Sequence, residues 1–521
     1  MKVSRRSFLG AAGAAAATVA VGSRARAAVP VTREEHRVII IGSGFGGGVA
    51  ALRLAQAGVP VTVLERGKWW TTGPGIETFP SASTMDKRAL WYESAPKLFG
   101  QPVLFDSYVG LLDTVAGTGI SATCAACVGG GSLVYQGMTL QPSEALFNSV
   151  MPPALDYGLM NRVHYPRVAQ MLKVQVAPDE LVASPTYRAA RVFAERAKAA
   201  GFDVEKIPMP IDWSYGLGEL SGANKPLLTV GEGVLGVNYG IKTTVDIAYL
   251  KPAIETGNAQ VLPLHNVKEI ARASDGRWQV SVDRIDESGK VLEQKVLTCK
   301  ALILAAGSLG TSKLLVRAKG RGTITNLPDG VGQGWGTNGD RIYAWADASQ
   351  KFGIAQGGPV VYGSKDWKDP ATANTIIQAS LPGFGGLDLG TTMLVGFGVS
   401  KDRGRFVYNA RTDQAQLEWP SNGDQASYKA INDRITKVTA GSGLLLDTNA
   451  LANSTWHALG GANMGTVCDL EGRVQGQRGL YVLDGALIPG STAACNPSMT
   501  IAAVAERALD FIVQNDIGQQ I

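Results

Sequence analysis

An apolar run that ends in a glycine-rich turn is the feature that most constrains the fold of this chain. Residues 37–48 read RVIIIGSGFGGG, a helix-like segment covers 49–57, and a second apolar run over 61–64 ends at Glu65. A strand, a glycine turn, a helix and a strand follow one another, with a carboxylate about 20 residues past the glycines. This order predicts a dinucleotide-binding βαβ unit, whereas an ordinary glycine-rich turn would not need these flanks.

Each part of this unit has a physical reason. Glycine lets the backbone approach a pyrophosphate, whose charge then lies at the positive end of the helix dipole. Glu65 can accept hydrogen bonds from an adenosine ribose. The residues expected to contact the dinucleotide here are Gly42, Gly44, Phe45, Gly46, Gly47 and Glu65.

The N-terminal residues predict an export signal rather than a part of the fold. Residues 4–9 read SRRSFL, a weakly apolar stretch covers 10–22, and ARA over 25–27 has the form of a cleavage site. Together they predict a twin-arginine signal peptide over 1–27, cleaved after Ala27, and a secreted or periplasmic protein. The alternative is a transmembrane anchor, but the apolar stretch is too short and too rich in alanine and glycine.

The signal peptide also accounts for the net charge. It holds five of the 49 basic residues and no acidic residue, so 44 basic residues remain against 44 acidic ones. The formal charge of +5 therefore gives no indication of nucleic acid or anionic membranes as partners. About 494 residues remain after cleavage, enough for two or three domains with large cores.

Cysteine and histidine are too few to predict a metal site. The five cysteines include the pair Cys124 and Cys127, and the four histidines form no cluster in the sequence. The Cys-x-x-Cys spacing is consistent with a redox pair, half a metal site or a local disulfide. Because no second pair accompanies it, two buried thiols are the default and no metal is expected.

Segments that combine a buried apolar run with a glycine-rich turn alternate along the chain with segments that lack this pattern. The pattern of the first unit returns in the turn VGGGSLVY over 128–135, in the buried run over 301–304 and in the C-terminal block. This predicts an α/β fold, α+β overall, in which a Rossmann-type nucleotide domain is interleaved with a second domain. The predicted nucleotide domain comprises 34–75, 116–150, 236–320 and 455–521. The predicted substrate domain and its covering loops comprise 76–115, 151–235 and 321–454.

Two elements near the C-terminus carry candidate catalytic groups. His457 precedes a Gly-Gly turn, where a structural histidine is the alternative, and Asn496-Pro497 begins a helix-like run. Asn496 is expected to cap that helix and Pro497 to occupy its first turn. A helix N-terminus stabilises negative charge, such as that of a reduced flavin, and Asp484 is expected to hold a ribityl hydroxyl.

Several motifs occur together in the order of a known family. They lie at 42–47, 128–134, 306–310, 314–318, 332–339, 403–408, 457–461, 469–474 and 496–497. Through them the chain resembles the cholesterol oxidase branch of the glucose–methanol–choline (GMC) flavoprotein oxidoreductases over nearly all of its mature length. The resemblance implies FAD as cofactor and a substrate domain built on a mostly antiparallel six-stranded sheet.

The resemblance also implies roles for individual residues. His457 matches the active-site histidine, which positions the alcohol hydroxyl and takes its proton while the carbinol hydride passes to flavin N5. Asn496 matches the active-site asparagine, and the backbone of Val267 is expected to meet the adenine. Further expected FAD contacts are Gly129, Gly130, Gly131, Ser132, Gly307, Asp484, Gly485, Asn496 and Pro497.

Two departures from the family pattern bear on the substrate. Gln378 aligns with a strand-end glutamate that moves the proton when a 5-ene ketone isomerises to the conjugated 4-ene ketone, and an amide cannot act as this base. Either a sterol is oxidised without isomerisation, or the alcohol has no double bond to move. Tyr135 and Gln136 add bulk and polarity near the expected flavin, which favours the second interpretation.

The sequence therefore predicts an exported FAD-dependent alcohol oxidoreductase with a small-molecule alcohol as substrate and O2 as acceptor. A bulky apolar alcohol is expected, with a 3β-hydroxysteroid first among the candidates. Three alternatives remain: an oxidase of aliphatic or aryl alcohols, a dehydrogenase that passes electrons to a quinone or another carrier, and a flavin-carrying binding protein without turnover. No nucleic-acid partner and no stable membrane anchor are expected, and a monomer is favoured over an oligomer.

Overall fold

The computed structural model describes residues 29–382, 390–450 and 452–521. The predicted signal peptide over 1–27 lies outside these residues. Within the described ranges, no helix is both long enough and apolar enough to cross a bilayer.

A seven-stranded mixed sheet, here called the nucleotide sheet, organises one half of the fold. Its parallel strands are, in order, Ala259–Leu262, Val61–Leu64, Val31–Ile41 and Val291–Leu304, with Leu480–Val482 parallel to the last. Trp278–Ile285 and His265–Arg272 extend the sheet as antiparallel strands. The segments VIII, VTVL and ALIL are buried on both faces, as parallel strands covered by helices require. The predicted Rossmann-type core is confirmed.

Three long helices pack around the nucleotide sheet. Phe45–Gln56 begins at the first glycine turn, Gly307–Arg321 follows the strand that ends at Leu304, and the C-terminal helix is Ser498–Asn515. The first and last of these pack against each other, and Arg53 of the first forms an ion pair with the buried Glu506 of the last. The helix predicted over 49–57 and the helix-like run predicted after Pro497 are confirmed.

A six-stranded sheet, here called the substrate sheet, organises the other half. Its order is Leu444–Asp447, Arg341–Ala346, Thr391–Gly398, Asn374–Ala379, Tyr362–Asp366 and Val204–Lys206. Every neighbouring pair is antiparallel, so the predicted six-stranded sheet is confirmed. Helices Arg188–Ala199 and Gln425–Thr439 cover one face, which is called the outer face below.

The strand register decides which residues of the substrate sheet look toward the nucleotide half. Thr375 pairs with Phe397, and Ile377 lies two residues further along the same strand, so these side chains share one face. Thr375 Oγ1 donates a hydrogen bond to Ala494 O, in the loop before the C-terminal helix, at 2.6 Å. This face, called the inner face, therefore adjoins the nucleotide half. Gln378 alternates with Ile377 and belongs to the outer face.

Short strands and helices complete the described ranges and form the loops around both sheets. The strands are Lys97–Leu98, Gln101–Pro102, Leu112–Ala116, Ser121–Ala125, Gln333–Trp335, Gly404–Asn409, Gln414–Glu418 and Ser454–Thr455. The helices are Gly131–Val134, Glu144–Val150, Tyr157–Leu159, Tyr165–Leu172, Asp179–Ala183, Trp213–Leu220 and Lys251–Glu255. The predicted domain boundaries stay a prediction.

Candidate active site

The first glycine turn is packed too tightly against neighbouring strands to accept side chains. Gly42 has φ +97°, and a Cβ on it would lie 2.2 Å from Ala305 O. A Cβ on Gly46 would lie 1.6 Å from Leu483 O, and one on Gly47 would lie 2.1 Å from Gly42 O. These glycines let the first helix begin directly at the carboxyl ends of the parallel strands.

Gly44 differs from its neighbours because open space lies beside it. A Cβ on Gly44 would meet no atom closer than Gly130 Cα at 3.9 Å, and its φ of −72° suits any residue. Protein packing therefore does not require glycine at this position. The free backbone faces the place where a pyrophosphate would approach the helix N-terminus, so the turn fits the diphosphate of FAD.

A second glycine turn faces the first. Gly129 and Gly130 have φ +94° and +56°, and a Cβ on Gly130 would lie 2.7 Å from Gly44 Cα. Ser132 fixes this turn, because its Oγ donates to Gly129 O at 2.7 Å and accepts from Val245 N at 2.9 Å. Gly131 opens the short helix that follows. The turns predicted separately from the sequence thus lie together.

Glu65 lies buried beside the first turn. Its carboxylate accepts hydrogen bonds from Ser43 N at 3.2 Å, Ser43 Oγ at 2.6 Å and Gly67 N at 2.9 Å. Burial raises the pKa of Glu65, although these hydrogen bonds favour the charged form. Its carbonyl accepts from His265 N at 2.9 Å, which brings the strand of Val267 alongside. The ribose and adenine residues predicted from the sequence are therefore neighbours.

Asp484 joins the loop of His457 to the two facing glycine turns and Glu65, which together are called the cofactor cradle below. Its carboxylate accepts from Thr311 Oγ1 at 2.5 Å and from Ala486 N at 2.8 Å, and burial raises its pKa to about 6. The carbonyl of Gly485 accepts from Gly460 N at 2.8 Å, three residues after His457. Gly307, with φ +74° and open space beside it, lies at the start of the helix that carries Thr311.

His457 is held by a carboxylate that sequence reasoning missed. Its Nδ1 lies 2.7 Å from Oδ1 of Asp340, whose side chain is fully buried. The other carboxylate oxygen accepts from Thr455 Oγ1 at 2.5 Å and from the backbone N–H groups of Trp456 and His457. The only available signal was an aspartate directly after the glycine segment 332–339.

Asn496 holds a backbone segment rather than capping a helix. Its Nδ2 donates to Met138 O and to Ser498 Oγ, and its Oδ1 accepts from Leu140 N at 3.1 Å. The C-terminal helix begins at Ser498, and Pro497 stands at the N-cap without a side-chain cap. The cap prediction for Asn496 was wrong because these tertiary hydrogen bonds occupy its amide.

Apolar and aromatic side chains surround the imidazole. The Phe397 ring of the inner face lies edge-on to His457 at 5.6 Å between centroids, and Trp456 lies 5.8 Å away. Phe99, at the tip of a short hairpin, packs edge-on against Trp456 at 5.9 Å. Ile377 belongs to the same apolar cluster as Phe397 and Trp456. These side chains, together called the catalytic pocket below, give the histidine apolar surroundings, which suit an apolar substrate whose polar group meets the ring.

Comparison with known proteins identifies the family. Two profiles of the GMC oxidoreductases match residues 107–334 and 409–505, and an FAD-binding-domain profile matches 37–73. The chain belongs to the GMC oxidoreductase family. It lies in the cholesterol oxidase-like branch, binds FAD and is an FAD-dependent enzyme of alcohol oxidation.

Relatives and solved structures agree with this assignment. A cholesterol oxidase of Mycobacterium tuberculosis is 29% identical, with 91% of each chain covered, and one of Acinetobacter baumannii is 26% identical, with 92% of this chain and 95% of the relative covered. The long-chain-alcohol oxidase FAO3 of Arabidopsis thaliana is 22% identical over 72% of this chain and 46% of its own. Pyridoxine 4-oxidase from Mesorbium loti shares the fold, with TM-score 0.61, 16% identity and 92% and 99% of the two chains covered.

Within this GMC fold, Gln378 does not lie where the resemblance implied. It points to the outer face of the substrate sheet and is 2% exposed. Its Nε2 donates to Thr392 Oγ1 at 3.0 Å, and Thr392 donates to Gln356 Oε1 at 2.8 Å. The neighbouring residue that faces the His457 pocket is Ile377. A displacement of one residue in the alignment exchanges the two faces of a strand, so the assignment of Gln378 to the site is corrected.

The segment that contains Tyr135 is held by hydrogen bonds from a buried lysine. Lys242 Nζ donates to Leu133 O at 2.7 Å and Tyr135 O at 2.9 Å, and burial lowers the pKa of Lys242 to about 7. The Tyr135 ring packs edge-on against Phe45 at 5.7 Å. Tyr135 thus lies beside the first glycine turn. Nothing in the sequence around Lys242 indicated this contact.

The Cys-x-x-Cys pair contains two free thiols. Cys127 is buried, and Cys124 is partly buried beside Arg66, whose Nη2 lies 3.5 Å from Sγ. Burial raises the pKa of Cys124 to about 11, so this thiol is protonated at neutral pH. The default expectation of two thiols agrees with this arrangement.

Proposed function

We propose that this GMC enzyme oxidises a bulky apolar alcohol with O2 as electron acceptor, and that a 3β-hydroxysteroid is the first candidate. The observation that carries the proposal is an imidazole that is hydrogen-bonded to a carboxylate and surrounded by aromatic and aliphatic side chains. His457 offers a polar contact for one hydroxyl, while Trp456, Phe397 and Ile377 offer apolar contacts for the remainder of the molecule. The relatives named cholesterol oxidase support the steroid.

The chain's own residues supply positioning and proton transfer. His457 accepts the hydroxyl proton, because its Nδ1 is engaged by Asp340 and only Nε2 is left for the substrate. Asn496 fixes the segment Met138–Leu140 against the C-terminal helix. When bound, FAD supplies the acceptor for the hydride that leaves the carbinol carbon. The apolar side chains exclude water from the pocket.

We also propose that a 5-ene steroid leaves as the 5-ene ketone, without efficient isomerisation. Proton transfer between carbon atoms needs a carboxylate or a similar base beside the substrate. Among the described residues of strand Asn374–Ala379, the inner face carries Thr375, Ile377 and Ala379, none of which is such a base. The proposal therefore does not depend on Gln378.

A long-chain aliphatic alcohol is the second candidate. The chain resembles a protein named long-chain-alcohol oxidase over 72% of its length. A flexible chain would need less width near the cradle, where the Tyr135 ring packs against Phe45. This alternative predicts activity that rises with chain length and little activity on sterols.

A flavin-reduction screen tests the proposed function. The holoenzyme is mixed without air with cholesterol, long-chain aliphatic alcohols and aryl alcohols, and loss of flavin absorbance is followed. Rapid loss with the sterol, peroxide release on admission of air, and no absorbance of a conjugated enone would support the proposal. Rapid reduction by aliphatic alcohols alone would favour the second candidate. Efficient enone formation from cholesterol would contradict the absence of isomerisation.

Export through the twin-arginine route stays a proposal. It rests on the residues SRRSFL at 4–9 and on the cleavage pattern ARA at 25–27. N-terminal sequencing of protein recovered outside the cytoplasm tests it. A mature chain that begins at Ala28 is expected; a substitution of Arg5 and Arg6 by Lys that leaves export unchanged would contradict it.

A further inference from the structure

We propose that Asp340 is a positioning residue that keeps the side-chain proton of His457 on Nδ1 and so leaves Nε2 unprotonated toward the substrate. This inference rests on the proposed function for its catalytic consequence, but the position of the proton does not depend on which alcohol is oxidised. A carboxylate beside one ring nitrogen of histidine selects the tautomer, because the charged oxygen must receive an N–H.

The two oxygens of the Asp340 carboxylate have different partners, and this fixes its orientation. Oδ2 receives hydrogen bonds from Thr455 Oγ1 at 2.5 Å, Trp456 N at 3.1 Å and His457 N at 3.2 Å. All three groups are donors in this geometry, so Oδ2 must be an acceptor. Oδ1 is left for Nδ1 of His457, at 2.7 Å. The carboxylate therefore cannot turn away from the ring without losing several hydrogen bonds.

Burial makes this selection strong. The Asp340 side chain has no exposed surface, and that of His457 is 10% exposed. A buried carboxylate that lost its N–H donor would be left without compensation on one oxygen, which is costly. Nε2 has no hydrogen-bond partner among the described residues, so it is the ring atom that a hydroxyl group can reach. When His457 takes the proton, Asp340 also stabilises the resulting cation.

The charged and titratable groups around Asp340 come from three elements. They are His457 on its loop, Arg341 on the adjoining strand, and Asp424 and Tyr428 at the start of helix Gln425–Thr439. Arg341 lies over the Tyr428 ring at 3.4 Å. Burial, with added repulsion from Asp340 and Asp402, raises the pKa of Asp424 to about 6. Asp424 is thus a second buried acid near Asp340 that makes no hydrogen bond to His457.

Asp340→Asn is the informative substitution. An amide has one oxygen, and it would accept the hydrogen bonds of the three donors that now meet Oδ2. The NH2 group of the amide would therefore face Nδ1 of His457. The ring would then carry its proton on Nε2 and could not accept one from the alcohol. Flavin reduction should slow by about 10²–10⁴-fold, with substrate affinity nearly unchanged.

The matched control is Asp424→Asn, which makes the same chemical change at the neighbouring buried acid. It removes a negative charge near Asp340 at pH 8 without changing the partner of His457 Nδ1. Its flavin reduction rate should stay within a few-fold of the wild type. Equal slowing of both variants would show a general field effect and would overturn the positioning role.

Nitrogen NMR of histidine-labelled protein measures the tautomer directly. The chain has only four histidines, and a His457→Gln variant assigns the signal. We expect an Nδ1–H tautomer in the wild type and in Asp424→Asn, with or without FAD, and an Nε2–H tautomer in Asp340→Asn. A wild-type His457 protonated on Nε2 alone would overturn the proposal even where Asp340→Asn does not fold. If the tautomer is as expected but no alcohol reduces the flavin, the proposed function fails and the positioning role stands.

Discussion

The cofactor cradle and the catalytic pocket are built in different ways. The cradle uses the glycines of two short turns, 42–47 and 129–131, and the backbone of the first packs directly on the ends of neighbouring strands. The pocket takes Asp340, Phe397 and His457 from distant parts of the chain. A site built from backbone atoms tolerates few substitutions, but its glycine spacing can be recognised in the sequence. A site built from side chains depends on how the two halves of the fold pack together.

The largest effect is expected from removing the proton acceptor of the pocket. His457→Ala should lower the rate of flavin reduction by about 10²–10⁴-fold, because no other described group is positioned to replace the imidazole. FAD content should be unchanged, since the cradle is separate. Stopped-flow reduction without air and the flavin-to-protein absorbance ratio measure the two quantities. An unaltered reduction rate would remove His457 from the mechanism.

The cradle is tested by two alanine substitutions that differ in the space available. Gly46→Ala would push a methyl group against Leu483 O, at 1.6 Å, and should cost about 3 kcal/mol or more of unfolding free energy. Gly44→Ala meets no close protein atom and should leave the apoprotein stable while it weakens FAD binding. Thermal unfolding of the apoprotein and FAD titration separate the two effects. A Gly44→Ala variant with normal FAD affinity would contradict the placement of the diphosphate.

A smaller effect should distinguish the two faces of strand Asn374–Ala379. Ile377→Ala, on the inner face, should lower kcat/KM for a bulky apolar alcohol by about tenfold. Gln378→Ala should leave kcat/KM unchanged but cost about 1–3 kcal/mol of unfolding free energy, because Thr392 and Gln356 lose a buried partner. Steady-state kinetics with a bulky and a small alcohol, together with urea unfolding, measure both. A reversed pattern would return Gln378 to the site.

The same contrast explains what the sequence could and could not predict. The glycine turns, the parallel strands and the six-stranded sheet were predictable because their spacing is local or belongs to a long series of family motifs. Gln378 was placed on the wrong face because one residue of displacement inverts a strand. Asp340 was missed because its partner lies 117 residues away. Asn496 was taken for a helix cap because its true partners, Leu140 and Met138, lie 356 and 358 residues away in the sequence.

The smallest expected effect is a pH dependence of FAD binding that arises from Asp484, which lies between the cradle and the loop of His457. Burial raises the pKa of Asp484 from 3.8 to about 6 in the folded protein, so folding favours the protonated carboxyl group. The resulting contribution to the stability of the apoprotein is lost as pH rises through about 6. A ribityl hydroxyl that donates to Asp484 needs the carboxylate. FAD binding should therefore tighten by up to about tenfold between pH 5 and pH 7 and level off above.

Asp484→Asn should remove this pH dependence, because an amide does not titrate. Its one oxygen can keep the hydrogen bond from Ala486 N, while its NH2 group faces Thr311 Oγ1. Asp424→Asn is the matched control, since Asp424 is equally buried with a pKa of about 6 but contacts no residue of the cradle. Fluorescence titration of the apoproteins with FAD across this pH range measures the dependence. If Asp484→Asn kept the wild-type slope while Asp424→Asn lost it, the titrating group would be Asp424 in the catalytic half, and the role of Asp484 in the pH dependence of FAD binding would be contradicted.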